Sequence, residues 1–106
     1  MANDTNKKST TPGVFEYTLS KPFEYNGKTH EKLTFNFDSL TGNDILSVED
    51  EMVDNAEYYV TEASRSFQLR IAAKAAEIGS DVIKALPAKD FSKIVRAARD
   101  FLTGTE

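Results

Sequence analysis

His30 is the only histidine in the chain, and there is no cysteine. The side chains that most often hold metals or move protons at neutral pH are therefore almost missing. A general base or a ligand needs partners, and His30 sits beside a turn without them, so it reads as a solvated turn histidine. Serines and threonines are plentiful, yet none lies in a nucleophile-elbow motif, and a triad would have to be built around His30. Glu49, Asp50, Glu51, Asp54 and Glu57 could supply oxygen ligands. They lack the alternating acids and central glycine of a calcium loop and read as a solvated helix face. Gly13, Gly27, Gly42, Gly79 and Gly104 stand singly and form no phosphate-cradling loop. The sequence predicts no catalytic residue, no metal and no cofactor, which leaves non-covalent binding.

Two features point to what could be bound. Lys84, Lys89, Lys93, Arg96 and Arg99 make a basic surface near the C-terminus, the best case for nucleic acid. Against it stand a formal net charge of -4 and the placement of Phe91 and Phe101 on an apolar stripe, where they could not stack on bases. The seven Phe and four Tyr are many for so short a chain, and exposed apolar patches commonly mark a protein partner. Phe23 and Tyr25, beside a turn, and Tyr58 and Tyr59, between two helical patterns, are the candidate partner-binding residues, because each pair sits where a regular apolar stripe breaks.

The elements that would position these residues follow from periodicity. Phe15, Tyr17 and Leu19 alternate with polar residues, as do Leu33, Phe35 and Phe37, and Asn26-Gly27 between them is a hairpin signal. A two-residue turn with unbroken pairing would set Leu19 opposite Thr34 and put the two apolar rows on opposite faces. A three-residue turn or a bulge near Pro22 is therefore expected, with Leu19 opposite Phe35 and Tyr17 opposite Phe37. A lone hairpin is marginal in water, so its apolar face must cover helices or meet another chain.

Thr41 with Asp44 resembles a capping box, followed by Ile45, Val48, Met52, Ala56 and Val60 at helical spacing. A second helix is expected over about Thr61 to Ile78, with Phe67, Ile71, Ala75 and Ile78 on one stripe and Gly79 as its stop. Within it, Ala72, Ala73, Ala75 and Ala76 form a small-residue surface that lets another helix approach closely, inside the molecule or from outside. Ser80 can cap a short helix through Leu86. Pro87 suits the start of a last helix carrying Phe91, Ile94, Val95, Ala98, Phe101 and Leu102, which Gly104 ends.

At 106 residues the chain is long enough for one core. The fold expected is α+β: an N-terminal antiparallel hairpin, residues 14–38, against three to four helices, residues 41–103, after a disordered tail, residues 1–13. No segment resembles a signal peptide or a membrane span, which fits a cytoplasmic protein. Charge is uneven. Residues 1–62 carry 5 Lys plus Arg against 12 Asp plus Glu, net -7, and residues 63–106 carry 8 against 5, net +3. The halves could neutralise each other within a monomer or between copies in a head-to-tail assembly.

The order of these motifs resembles that of the tail assembly chaperones of contractile-tailed bacteriophages. Leu19-Ser20-Lys21-Pro22, Tyr25-Asn26-Gly27-Lys28 and Leu33-Thr34 match the family's opening strand, turn and second strand. Thr41-Gly42-Asn43-Asp44 matches its first helix start, and Leu86-Pro87, Asp90 and the helix Phe91 to Leu102 match its end. The likeness covers about Val14 to Leu102. It implies a non-enzymatic factor of the host bacterial cytoplasm, absent from the mature virion. Such a factor binds the tape measure protein, keeps it soluble and helps recruit tail tube protein, with possible self-association and no membrane partner. The other readings are a small nucleic-acid-associated regulator using the basic last helix and a minor structural tail protein.

Overall fold

Alternation of apolar and polar residues along Val14–Tyr25 and Lys28–Asn36 produces two antiparallel strands, β1 and β2. The computed structural model describes residues 13–55 and 64–104. Asn26 and Gly27 both take positive φ, 54° and 74°, as a two-residue turn matching the strand twist requires. Tyr25 pairs with Lys28 and Phe23 with His30. Beyond these, Leu19, Ser20, Lys21 and Pro22 of β1 stand against the single Glu31 of β2, and pairing resumes at Thr18 with Lys32. The bulge lies where Pro22 predicted one, but it holds three extra residues where the expected pairing needed one. Tyr17 therefore faces Leu33 and Phe15 faces Phe35, in place of the expected Tyr17 with Phe37 and Leu19 with Phe35. The offset is odd, so it switches the face of β2 that meets the odd-numbered row of β1 and puts both apolar rows on one side.

Phe37–Ser39 closes the hairpin as a short 3-10 turn, in which the Phe37 N–H donates to the Gly13 carbonyl at 2.8 Å. Helix α1 spans Gly42–Asp54, and its start is held by the Thr41 N–H donating to the Asp44 carboxylate at 2.9 Å. Val48 and Met52 are buried and Ile45 half-buried, as the spacing predicts. Ala56, Val60 and Thr61 lie outside the described residues.

Helix α2, Arg65–Ala76, has Ser64 as its cap, whose hydroxyl accepts from the Phe67 N–H. It is the central element, packed against α1, α4, β2 and α3, the latter spanning Ser80–Lys84. Ala72, Ala73 and Ala75 are buried, so the small-residue surface lets elements of the same molecule approach closely. The helix does not run to Ile78. Glu77 adopts φ 58°, and the N–H groups of Glu77 and Ile78 donate to the carbonyls of Lys74 and Ala73, a left-handed closure usually made by glycine. Gly79 instead caps α3.

Helix α4, Ala88–Thr103, follows Pro87 and ends at Gly104 with φ 75°. Ile94, Val95 and Ala98 are buried in the one core, together with Leu19, Phe35, Phe37, Met52, Phe67, Ile71 and Ile83. The architecture is α+β: among the described residues, a two-stranded hairpin is followed by four α-helices. Among the described residues no helix is long and apolar enough to cross a membrane.

Candidate docking surface

Asp90 explains how the hairpin is attached to the helices. It lies in the first turn of α4, where the helix dipole favours a negative charge, and it is fully buried. Its carboxylate accepts from the Tyr17 hydroxyl at 2.5 Å, from the Ser20 hydroxyl at 2.8 Å and from the Ser20 N–H at 3.1 Å. Ser20 is inside the bulge, so the backbone donor freed from the ladder is used by the helix. Burial opposes ionisation of Asp90, but the bonds from Tyr17 and Ser20, aided by the charge of Lys89, outweigh it and hold the carboxyl below its ordinary value. Burial, with the bond to Asp90 and its charge, pushes the Tyr17 phenol from 10.0 up to about 12. The Leu86-Pro87 and Asp90 pattern thus has a structural task.

That attachment lays the start of β1 along the end of α4 and leaves a cleft between them. Gly13, Val14, Phe15, Phe37, Ala97, Asp100 and Phe101 line it, with a volume of about 310 Å³. The lining rings of Phe15, Phe37 and Phe101 are backed by the buried Phe35: Phe15 lies 5.9 Å from Phe35 between ring centres, Phe35 6.1 Å from Phe37, and Phe37 5.2 Å from Phe101. Phe101, read from the sequence as core, is 38% exposed at the margin of the α4 stripe, where the Phe37 ring stacks on it. An i, i+3, i+4 spacing identifies a stripe but not which of its ends stays uncovered. A second apolar cleft, of about 320 Å³, lies among Leu69, Lys84, Leu86, Ala88 and Phe91.

Phe23 and Tyr25 share one face of the hairpin beyond the bulge, and both are half-buried. Phe23 packs against the core, while the Tyr25 ring lies 5.7 Å from that of His30. Neither lines the Phe101 cleft. Tyr58 and Tyr59 lie outside the described residues. Lys84, Lys89, Lys93, Arg96 and Arg99 are all exposed. Leu46 and Val53, 58% and 55% exposed, lie on the outer side of α1. Glu51, from the acidic series, pairs with the buried guanidinium of Arg70 at 3.0 Å, and Arg70 also donates to Ser66.

Neither the curated proteins nor the solved structures contain a match to the chain. The family model described as "Phage tail assembly chaperone proteins, E, or 41 or 14" matches residues 16–103. The match takes in β1 from Glu16 onward, all of β2, the bulge, Asp90 and the whole of α4. On that extent of agreement the chain belongs to the phage tail assembly chaperone family.

Proposed function

We propose that this protein binds the tape measure protein without catalysis, keeps it soluble in the host cytoplasm and helps bring tail tube subunits to it, remaining outside the finished virion. The observation that carries the reading is the cleft under Phe101, a preformed apolar concavity left open in a member of an assembly-chaperone family. An amphipathic helix of the client docks by placing apolar side chains in such a groove. Phe101, Val14 and Ala97 make the contact at this cleft, and Phe23, Tyr25, Tyr58 and Tyr59 are further candidate partner-binding residues, tested separately by substitution.

Co-expression with the tape measure protein, followed by size-exclusion chromatography with light scattering, tests this. A soluble complex is expected, and Phe101→Asp should reduce its yield while the variant alone remains folded. A client that stays insoluble while this protein elutes alone would overturn the reading. The exposed basic residues of α4 favour a nucleic-acid regulator as the second reading, which salt-dependent DNA binding would support. Detection in purified virions would support a structural tail protein.

A further inference from the structure

The second apolar cleft lies at the other end of α4 from Phe101. Leu69 of α2, Lys84 at the end of α3, Leu86 in the turn that follows, and Ala88 and Phe91 at the start of α4 converge on it. Leu69 and Leu86 are buried and form its floor, Phe91 is half-buried, and Lys84 and Ala88 are exposed at its rim. Its volume of about 320 Å³ is at the small end of the roughly 300–1,000 Å³ of ligand sites, and Lys84 is the one polar side chain among the described lining residues. A small polar ligand would have little to orient it there, whereas an apolar side chain needs no polar partner.

The exposed charge beside this cleft is cationic. Among the described residues Lys84 forms no ion pair, and the nearest acid in sequence, Asp81, lies against Gly79 at the other end of α3. Asp90 is buried and engaged by Tyr17 and Ser20. Lys89 is exposed next to Ala88, and Arg96 and Arg99 follow Ala88 at i+8 and i+11, on the same side of α4 and also exposed. Arg99 meets Asp100 at 3.4 Å, an exposed ion pair of the kind that contributes little in water. Ammonium and guanidinium groups donate and never accept, and carboxylates are the acceptors that suit them.

On the reading above that the protein docks helical segments of its client, we propose that this cleft is a second docking site, selective for an acidic amphipathic helix. An apolar side chain of the segment enters between Leu69, Leu86 and Phe91, and its carboxylates meet Lys84, Lys89, Arg96 and Arg99. A nucleic-acid backbone would meet the same cations but has no apolar group to fill the cleft. Ala88 and Phe101 are about 20 Å apart along α4 at 1.5 Å per residue, so the two ends of one helix hold two segments of an extended client and gain from avidity.

Fluorescence anisotropy of the full chain with labelled helical peptides tests this. The probes share one leucine stripe and carry either glutamate or lysine on the remaining positions. The glutamate peptide should bind about tenfold or more tighter than the lysine peptide, and should weaken when NaCl rises from about 0.1 M to about 1 M and the screening length falls from roughly 10 Å to 3 Å. Replacing its leucines with alanine should weaken it about tenfold or more. Methyl shifts of Leu69 and Leu86 should move on binding, while those of Val14 and Ala97 stay in place, because Asp100 in their cleft repels acids. Ala88→Glu places a carboxylate at the rim, in a first turn that favours negative charge, and Lys84→Gln/Arg96→Gln removes two exposed cations; each should weaken the glutamate peptide about tenfold. Should Ala88→Glu fail to fold by circular dichroism, the double glutamine variant decides. No binding of the glutamate peptide, equal binding of the lysine peptide, wild-type affinity in the folded variants, or shifts at Val14 and Ala97 in place of Leu69 and Leu86 would overturn the proposal. So would shifts at Leu69 and Leu86 that depend on protein concentration without peptide, which would assign the cleft to a second copy, or displacement of the peptide by double-stranded DNA, which would assign the cations to phosphate. An insoluble tape measure protein on co-expression overturns the functional reading instead, and the peptide titration is read without it.

Discussion

Replacing Asp90 with alanine should detach the hairpin bulge from α4. The carboxylate accepts one backbone and two hydroxyl donors, at 3.1, 2.5 and 2.8 Å, and is fully buried. A hydrogen bond to a charged acceptor contributes about 1.5–3 kcal/mol net. Against the full sum stand the desolvation of the carboxylate and the access of water to the exposed Ser20 once its acceptor is gone. The expected loss for Asp90→Ala is about 3–4 kcal/mol, and for a chain near 100 residues each kcal/mol shifts Tm by roughly 4–8 °C. Tyr17→Phe removes the shortest bond and should cost about 1.5 kcal/mol, with a coupling of about 1–2 kcal/mol in the double-mutant cycle with Asp90→Ala. Urea unfolding of the four proteins measures all three quantities. A loss below about 1 kcal/mol for Asp90→Ala, or an additive cycle, would show that apolar packing alone fixes the hairpin to α4.

The same pair predicts the pH limits of stability. Asp90 has a folded-state pKa below its ordinary value, so its contribution is present above the unfolded pKa near 3.8 and disappears as pH falls through the folded one; Asp90→Asn should flatten that acid limb of the thermal melt. Tyr17 is raised, so its contribution is complete below 10.0 and disappears as pH rises toward about 12, and Tyr17→Phe should flatten the alkaline limb. Glu51→Gln should cost about 1 kcal/mol in urea unfolding, because a buried guanidinium loses its opposite charge, whereas Arg70→Met should cost less by removing that buried charge; the reverse order would show that Glu51 does not compensate Arg70. Gly13→Ala should destabilise more than Gly27→Ala, by about 1 kcal/mol or more in calorimetry. Both have positive φ, but a Cβ at Gly13 would lie 2.6 Å from that of Asp38 while Gly27 is open on all sides.

The proposed docking cleft requires an apolar surface to stay open without loss of the fold. Here the two demands are separated in space. The core is closed by the buried Phe35, Met52, Ile71, Ile83 and Ile94, and the hairpin is fastened by polar groups at Asp90, so the Phe101 margin can stay open without carrying the fold. Polar fastening also has a direction, which apolar contact lacks, and it sets the strand start and the helix end at a fixed distance.

Local pattern alone determined the hairpin, its Asn26-Gly27 turn, the α+β class, the Thr41 start of α1, the Gly104 end of α4 and the need for an irregularity near Pro22. These follow from period, φ preference and donor count within a few residues, all of which are properties of the chain before it folds. The length of the bulge, the Glu77 ending of α2, the exposure of Phe101 and the convergence of Leu69 with Leu86 and Phe91 were decided only by tertiary structure. Each depends on residues far apart in sequence: the bulge takes three extra residues as Ser20 turns to Asp90, 70 positions away. Phe101 shares a stripe of α4 with the buried Ile94 and Ala98, yet stays exposed at the open cleft between β1, Phe37 and the end of α4. Spacing records which side chains share a face, but whether that face is covered depends on a distant element.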